Sequence, residues 1–210
     1  MNQQSDSISA KALDETTVDR DPIELFRNWF AAALAFGSRL PESMTLATAT
    51  SDGRPSARVV LLKQIDEAGF VFYTNYRSAK ARELEQNPQA ALVFYWVGLD
   101  RQVRVEGRVE RVSAAESDEY FKTRLRESQL GALASPQSEV IESREVLEAN
   151  LRELENAFRD REVERPAYWG GYRLKPERIE FWENRPSRLH DRIAYELKTD
   201  GSWTITRLAP

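Results

Sequence analysis

The stretch QAALVFYWV (residues 89–97), followed four residues later by QVRVEGRVERV (102–112), decides the fold. The first run is apolar after Gln89 and too short to span a bilayer, so it reads as a strand buried on both faces. The second alternates Val103, Val105 and Val109 with polar residues, so one face of that strand meets solvent or a ligand. The flanking chain continues in kind. Upstream, Met44–Thr50 and Ala57–Gln64 read as strands joined by a turn at Ser51–Pro55, and Asp66–Gly69 turns into Phe70–Thr74. Downstream lie Trp169–Leu174, Arg178–Trp182, Arg188–Leu197 and Trp203–Leu208, with Thr199–Ser202 making the last hairpin.

Helical signals lie before and between these strands. Asp21, Pro22 and Glu24 form an N-cap, a first-turn proline and a capping-box acid. They open a helix on which Leu25, Trp29, Ala32, Ala33 and Phe36 recur at helical spacing until Gly37. Ser78 caps a short helix through Gln86 that Asn87-Pro88 stops. Ser113 and Glu116 form a second capping box before a helix carrying Tyr120 and Phe121, and a long charged helix runs from about Ser143 to Arg161. Strands at both ends with helices between predict a single closed barrel with helices packed outside. Residues 1–20 are polar and aperiodic and predict a mobile tail; 21–210 reads as one domain.

Composition narrows the function. The chain has 210 residues, 30 basic and 34 acidic, for a net charge of −4. That argues against nucleic-acid binding by bulk charge and leaves room for a local basic pocket. The absence of cysteine excludes disulfides, thiolate nucleophiles, Fe–S clusters and thiolate zinc sites. With one histidine, a transition-metal site would depend on carboxylates, and no metal is expected. The N-terminal stretch has no apolar core segment and no run is long enough to span a membrane, which predicts a cytoplasmic protein.

Five groups of residues carry candidate chemistry. Arg58-Val59-Val60-Leu61-Leu62-Lys63 is a strand apolar on both faces with a cation at each end, and a buried charge needs an anion; surface snorkelling is the alternative. Tyr73 and Thr74 end a strand that a polar turn joins to a helix with Ser78 at its cap and Lys80 in its first turn, where a cation is disfavoured without an anion nearby. Tyr120, Arg124 and Ser128 fall at four-residue steps, one helix face if the helix is continuous. A phenol, a guanidinium and a hydroxyl in a row are donors that a phosphate dianion needs. Gln137-Ser138 precedes the long helix, and Trp182 precedes Arg188 by six residues. The sole histidine, His190, lies in Arg188-Leu189-His190-Asp191-Arg192, where strand alternation would align Arg188, His190 and Arg192. Two phosphorylated planar ligands would use all of these.

In this order the residues resemble the pyridoxine (pyridoxamine) 5′-phosphate oxidase family. The resemblance runs through RVVLLK at 58–63, FYTN at 72–75, RQVRVEG at 101–107, the Tyr120/Arg124/Ser128 row and Gln137-Ser138. It continues through WGGYR at 169–173, IEFW at 179–182, RLHDR at 188–192 and RLAP at 207–210, covering residues 21–210. It implies a mainly β split-barrel homodimer with flanking helices and FMN at the subunit interface. By position, Arg58, Val59, Val60, Leu61, Leu62, Lys63, Tyr73, Thr74, Lys80, Gln102, Gln137, Ser138, Trp182 and Arg192 resemble the cofactor-binding set. Lys63, Tyr120, Arg124, Ser128, Arg188, Leu189 and His190 resemble the substrate-binding set, with Arg188 and His190 over the reacting ring as the catalytic pair. The implied reaction is hydride transfer from C4′ of pyridoxamine or pyridoxine 5′-phosphate to flavin N5. Reoxidation by O2 follows, yielding pyridoxal 5′-phosphate, H2O2 and, from the amine, ammonia. The arginines beside His190 favour an orienting role over obligatory base catalysis.

The chain departs from the family pattern at Ala79, where an arginine is common; Arg77 is a candidate replacement. Leu125 stands where the family commonly has proline, and residues 1–28 contain no tyrosine for an N-terminal lid. Two other functions compete. Flavin oxidases of phenazine synthesis resemble this family but lose the lysine matching Lys63 and the Tyr/Arg/Ser row, both kept here. A non-catalytic split barrel could carry flavin, haem or pyridoxal phosphate; the arginines flanking His190 favour an anion over haem.

Overall fold

The computed structural model describes residues 13–210. Nine strands form one antiparallel sheet: β1 (Ser43–Ala49), β2 (Pro55–Leu61), β3 (Gln64–Asp66), β4 (Gly69–Asn75), β5 (Gln89–Trp96), β6 (Arg101–Arg111), β7 (Trp169–Glu183), β8 (Asp191–Leu197) and β9 (Trp203–Arg207). The order is β2-β1-β5-β6-β7-β4-β3, with β8 on β7 and β9 on β8. The sheet curls into a half-barrel that is split. One edge of β7 pairs with β6; the other edge pairs first with β4 (through Trp169–Leu174) and then with β8 (through Arg178–Glu183). Closure is incomplete. No ladder joins β2 to β4, and the chain itself bridges the seam: Leu62 N–H donates to Glu42 C=O and Lys63 N–H to Val71 C=O, each at 2.9 Å.

Alternation builds the core. Met44 and Leu46 on β1, Leu92, Phe94 and Trp96 on β5, and Val103, Val105 and Val109 on β6 are all buried on one face. Helix α1 (Pro22–Ala35) packs onto that face, with the Phe26 ring edge-on to Phe70 and Phe94 at 4.9 and 4.8 Å and Trp29 edge-on to Phe181 at 5.2 Å. Asp21 caps α1 by accepting from Ile23 N–H, whereas Glu24 pairs with Arg27 and does not complete a box. Helices α3 (Ala114–Thr123), α4 (Arg126–Ala134) and α5 (Arg144–Ala157) gather a smaller core of Phe121, Leu130, Val163 and Trp169. No described helix is long and apolar enough to cross a membrane.

Several expectations change. β5 is buried on one face only: Tyr95 remains 53% exposed, because α1 covers the inner face and nothing among the described residues covers the outer one. The expected strand Ala57–Gln64 breaks at the Leu62–Lys63 seam into β2 and β3. The two strands expected over 169–182 merge into β7. Pro176, which has no N–H to offer a ladder, falls at a bulge where Gly107 faces Pro176 and Glu106 faces Arg178. A Cβ on Gly107 would lie 2.0 Å from the Lys175 carbonyl, so only glycine lets the strands meet there. Helix α2 (Ala79–Gln86) starts after Ser78 as expected, although the Ser78 hydroxyl makes no capping bond. Residues 13–20, expected within a mobile tail, pack against the C-terminal strands: Leu13 is buried, Glu15 pairs with Arg207, and Tyr195 Oη donates to Asp19 C=O at 2.7 Å. The remainder of that expectation, residues 1–12, lies outside the described residues.

Candidate active site

Two adjoining clefts open beside the first half of β7. The larger, about 470 Å³, is lined by Arg58, Val59, Val60, Leu61 and Lys63 from β2 and the seam, Tyr73 and Thr74 from β4, Lys80 from α2, and Tyr120, Arg124, Gln137 and Trp169. The smaller, about 290 Å³, shares Arg124, Gln137 and Trp169 and adds Asn75, Ser128 and Ser135. Tyr120, Arg124 and Ser128 reach these clefts without sharing one helix. Helix α3 stops at Thr123, Arg124 takes extended backbone (ψ 145°), and α4 starts at Arg126. Arg124 at this corner lays its guanidinium 4.6 Å above the Trp169 ring.

Trp169, absent from the sequence-based site, anchors the floor. The Tyr73 and Tyr120 rings stack at 3.9 Å, and both lie within 15° of parallel to Trp169. The WGGYR run at 169–173 was its only signal, and a buried tryptophan is ordinarily read as core. Burial, reinforced by Glu116, pushes the Tyr73 phenol up to about 12, and burial also raises that of Tyr120. Both phenols therefore remain donors at neutral pH.

The cations differ in what they already hold. Arg58 donates to Thr48 and Ser56 and pairs with Glu83 at 3.1 Å. Burial raises the Glu83 carboxyl, but hydrogen bonds from Thr48, Ser56 and Arg58 outweigh it and hold the group below its ordinary value. Lys80 is buried and, among the described residues, its Nζ hydrogen-bonds only the Thr74 and Ser78 hydroxyls, at 3.2 and 3.4 Å. Burial, then Arg58, lowers the Lys80 ammonium, with Glu83 opposing. Arg124 Nη1 is buried with no hydrogen-bond partner among the described residues, and burial lowers that guanidinium too, against Tyr120. Gln137 Oε1 accepts from Thr74 Oγ1 and Asn75 N–H at 3.2 and 3.3 Å.

The remaining expected site residues lie elsewhere in the chain. Leu62 is buried in the core and lines neither cleft. Ser138 is exposed with left-handed backbone (φ 73°), in the loop before α5, whose N-cap is Ser143. Gln102, Trp182 and Arg192 are register partners across β6, β7 and β8. His190 lies against Trp182, ring centroids 4.7 Å apart. Arg188 and Leu189 are exposed, and the expected alternation of Arg188, His190 and Arg192 does not form: residues 186–188 make a tight turn and β8 begins at Asp191. Arg192 donates to buried Glu180 at 2.9 Å. Arg77 stacks on Tyr168 at 4.4 Å and lines neither cleft. Within one chain, most of the expected residues thus fall into a cleft group and a group around Trp182, with Leu62 and Ser138 in neither.

Comparison with known proteins places the chain among relatives of one family. The family profile described as pyridoxamine 5′-phosphate oxidase matches residues 31–158, and that described as the pyridoxine 5′-phosphate oxidase C-terminal dimerisation region matches residues 169–210. A pyridoxine/pyridoxamine 5′-phosphate oxidase of Rubrobacter xylanophilus is 60% identical over 198 residues, spanning 94% of this chain and 91% of the relative. One of Trichormus variabilis is 56% identical over 200 residues, spanning 95% of this chain and 94% of the relative. Among solved structures, PhzG from Burkholderia lata 383, in complex with tetrahydrophenazine-1-carboxylic acid, superposes with a TM-score of 0.90 at 34% identity, covering 95% of this chain and 98% of that one.

Proposed function

This chain belongs to the pyridoxamine 5′-phosphate oxidase family, and from that premise we propose that it oxidises pyridoxamine and pyridoxine 5′-phosphates to pyridoxal 5′-phosphate. FMN would be the cofactor and O2 the final electron acceptor, with H2O2 released and ammonia formed from the amine. The observation that carries this reading is a pair of cations in adjoining clefts, the buried Lys80 and the half-buried Arg124 with its Nη1 atom buried, neither paired with a carboxylate among the described residues. A buried cation is costly without an anion, so each position is built for one, and each of the two proposed ligands carries a phosphate.

The donor set fits FMN. Lys80, with Arg58 and the Ser78 and Thr74 hydroxyls around it, would hold a phosphate at the start of α2, where helix N–H groups favour negative charge. When bound, the flavin supplies two-electron chemistry that no side chain has. Arg124, Tyr120 and Ser128 would take the substrate phosphate, with Lys63 beside them. The Trp182 group, with His190 and Arg188, would reach the same ligands from a second copy of the chain. The exposed outer face of β5 and the dimerisation-region match of residues 169–210 support such a homodimer. Holding both rings in register then removes much of the entropic barrier.

Purified protein tests the reading. It should show a flavin absorption spectrum and consume O2 on addition of pyridoxamine 5′-phosphate. The likeness to PhzG makes tetrahydrophenazine-1-carboxylic acid the informative control, since it carries no phosphate for Arg124 to bind. Oxygen uptake with that acid and none with pyridoxamine 5′-phosphate would overturn the proposal; bound flavin with neither substrate oxidised would mark a carrier.

A further inference from the structure

We propose that Arg185 is a positioning residue that fixes His190 in the tautomer protonated on Nε2, so that His190 meets substrate as a hydrogen-bond donor and not as a base. The Arg185 backbone N–H donates to His190 Nδ1 at 3.2 Å. A nitrogen that accepts this bond carries no proton, so the neutral ring carries its hydrogen on Nε2. The ring packs on Trp182, which leaves Nε2–H as its hydrogen-bonding edge.

The side chain of Arg185 holds that amide in place. Its Nε donates to Asp191 Oδ2 and its Nη2 to Glu183 Oε2, both at 2.6 Å, tying the last residue of β7 to the first of β8. Between these anchors the chain turns sharply, with Ser187 and Arg188 in consecutive left-handed conformations at φ 59° and 60°. Two non-glycine residues in that region are costly, and they persist only where surrounding contacts over-determine them. Asn184 N–H adds a bond to Asp100 C=O at 3.0 Å. The clamp therefore sets both the shape of the loop that carries Arg188 and the edge that His190 presents. The substrate atom facing His190 must be an acceptor, such as an ionised ring oxygen.

The consequence for turnover rests on the oxidase reading; the tautomer does not. Because the chain has a single histidine, protein labelled with ¹⁵N-histidine gives one imidazole spin system in a long-range ¹H–¹⁵N correlation spectrum. For the neutral ring we expect a protonated Nε2 and a bare Nδ1. Protonation on Nδ1, or shifts averaged between tautomers, would overturn the assignment. In Arg185→Ala the shifts should move toward the average and kcat should fall about ten-fold, the scale of a modest misplacement. FMN affinity should be unchanged, and Arg185→Lys should recover part of the loss. Unaltered shifts in Arg185→Ala would remove Arg185 from this role. A wild-type protein with the expected spectrum and no oxidase activity would sink the function reading alone.

Discussion

Lys80 offers the sharpest test at the scale of one residue, because its two effects have opposite signs. Replacing it with Met removes a buried ammonium that only hydroxyls contact, so the ligand-free fold should melt at a higher temperature. The same change removes a charge-assisted contact worth about 1.5–3 kcal/mol, so flavin titration should show FMN bound about 10- to 100-fold more weakly. The pH dependence follows from the lowered Lys80 value. Below that value the ammonium is present and an anion gains from it. As pH rises through it the proton leaves, so FMN affinity falls at a lower pH than an ordinary lysine would dictate. Over the interval up to the ordinary value the unfolded chain still holds the proton, so the ligand-free fold gains stability as pH rises. Arg124 has a different signature. Its contact with a substrate phosphate would be equal in ground and transition states, so Arg124→Ala should raise KM about 10- to 100-fold and leave kcat nearly unchanged in steady-state assays. A fall in kcat at constant KM would move Arg124 out of that role.

At the scale of elements, the strands and most helix starts were legible because hydrophobic period and capping chemistry are local. The corner at Arg124 was not. Tyr120, Arg124 and Ser128 have helical spacing with no glycine or proline between them, so nothing in the run announces that α3 ends at Thr123 and α4 begins at Arg126. The turn before β8 was hidden likewise: Arg188-Leu189-His190-Asp191-Arg192 alternates like a strand, and the left-handed Ser187 that breaks it carries no glycine marker. WGGYR was visible as a motif, but its purpose is steric. A Cβ on Gly171 would lie 2.8 Å from Tyr73 Cε1 and 2.6 Å from Val112 Cγ2. Gly171→Ala should therefore displace Tyr73 from its stack on Tyr120 and Trp169 and destabilise the fold by about 1–3 kcal/mol, read as a lower Tm. KM should rise in the same variant, since Tyr120 shares that stack.

At the scale of the whole molecule, the division of the expected site into a cleft group and a Trp182 group was beyond any local reading, because it depends on which strands flank each half of β7. If two copies complete each site, Arg124→Ala and Arg188→Ala chains are complementary. Refolded together in equal amounts and assayed at substrate far below the raised KM of Arg124→Ala, half the dimers are mixed and each of those holds one intact site, so about a quarter of the wild-type rate at that concentration should return. Turnover no higher than that of the separate variants would place both groups on the same subunit's site. The strand that joins the two groups also acts as a ruler. It holds cleft floor at Trp169 and flavin-facing candidate at Trp182 on one uninterrupted backbone, and its surplus residue sits only where Pro176 and Glu177 pass Gly107. An inserted residue at that bulge shifts a loop-like kink. The same insertion anywhere else along β7 would turn every later side chain to the opposite surface, so within this strand an added residue should be accommodated at that bulge and nowhere else.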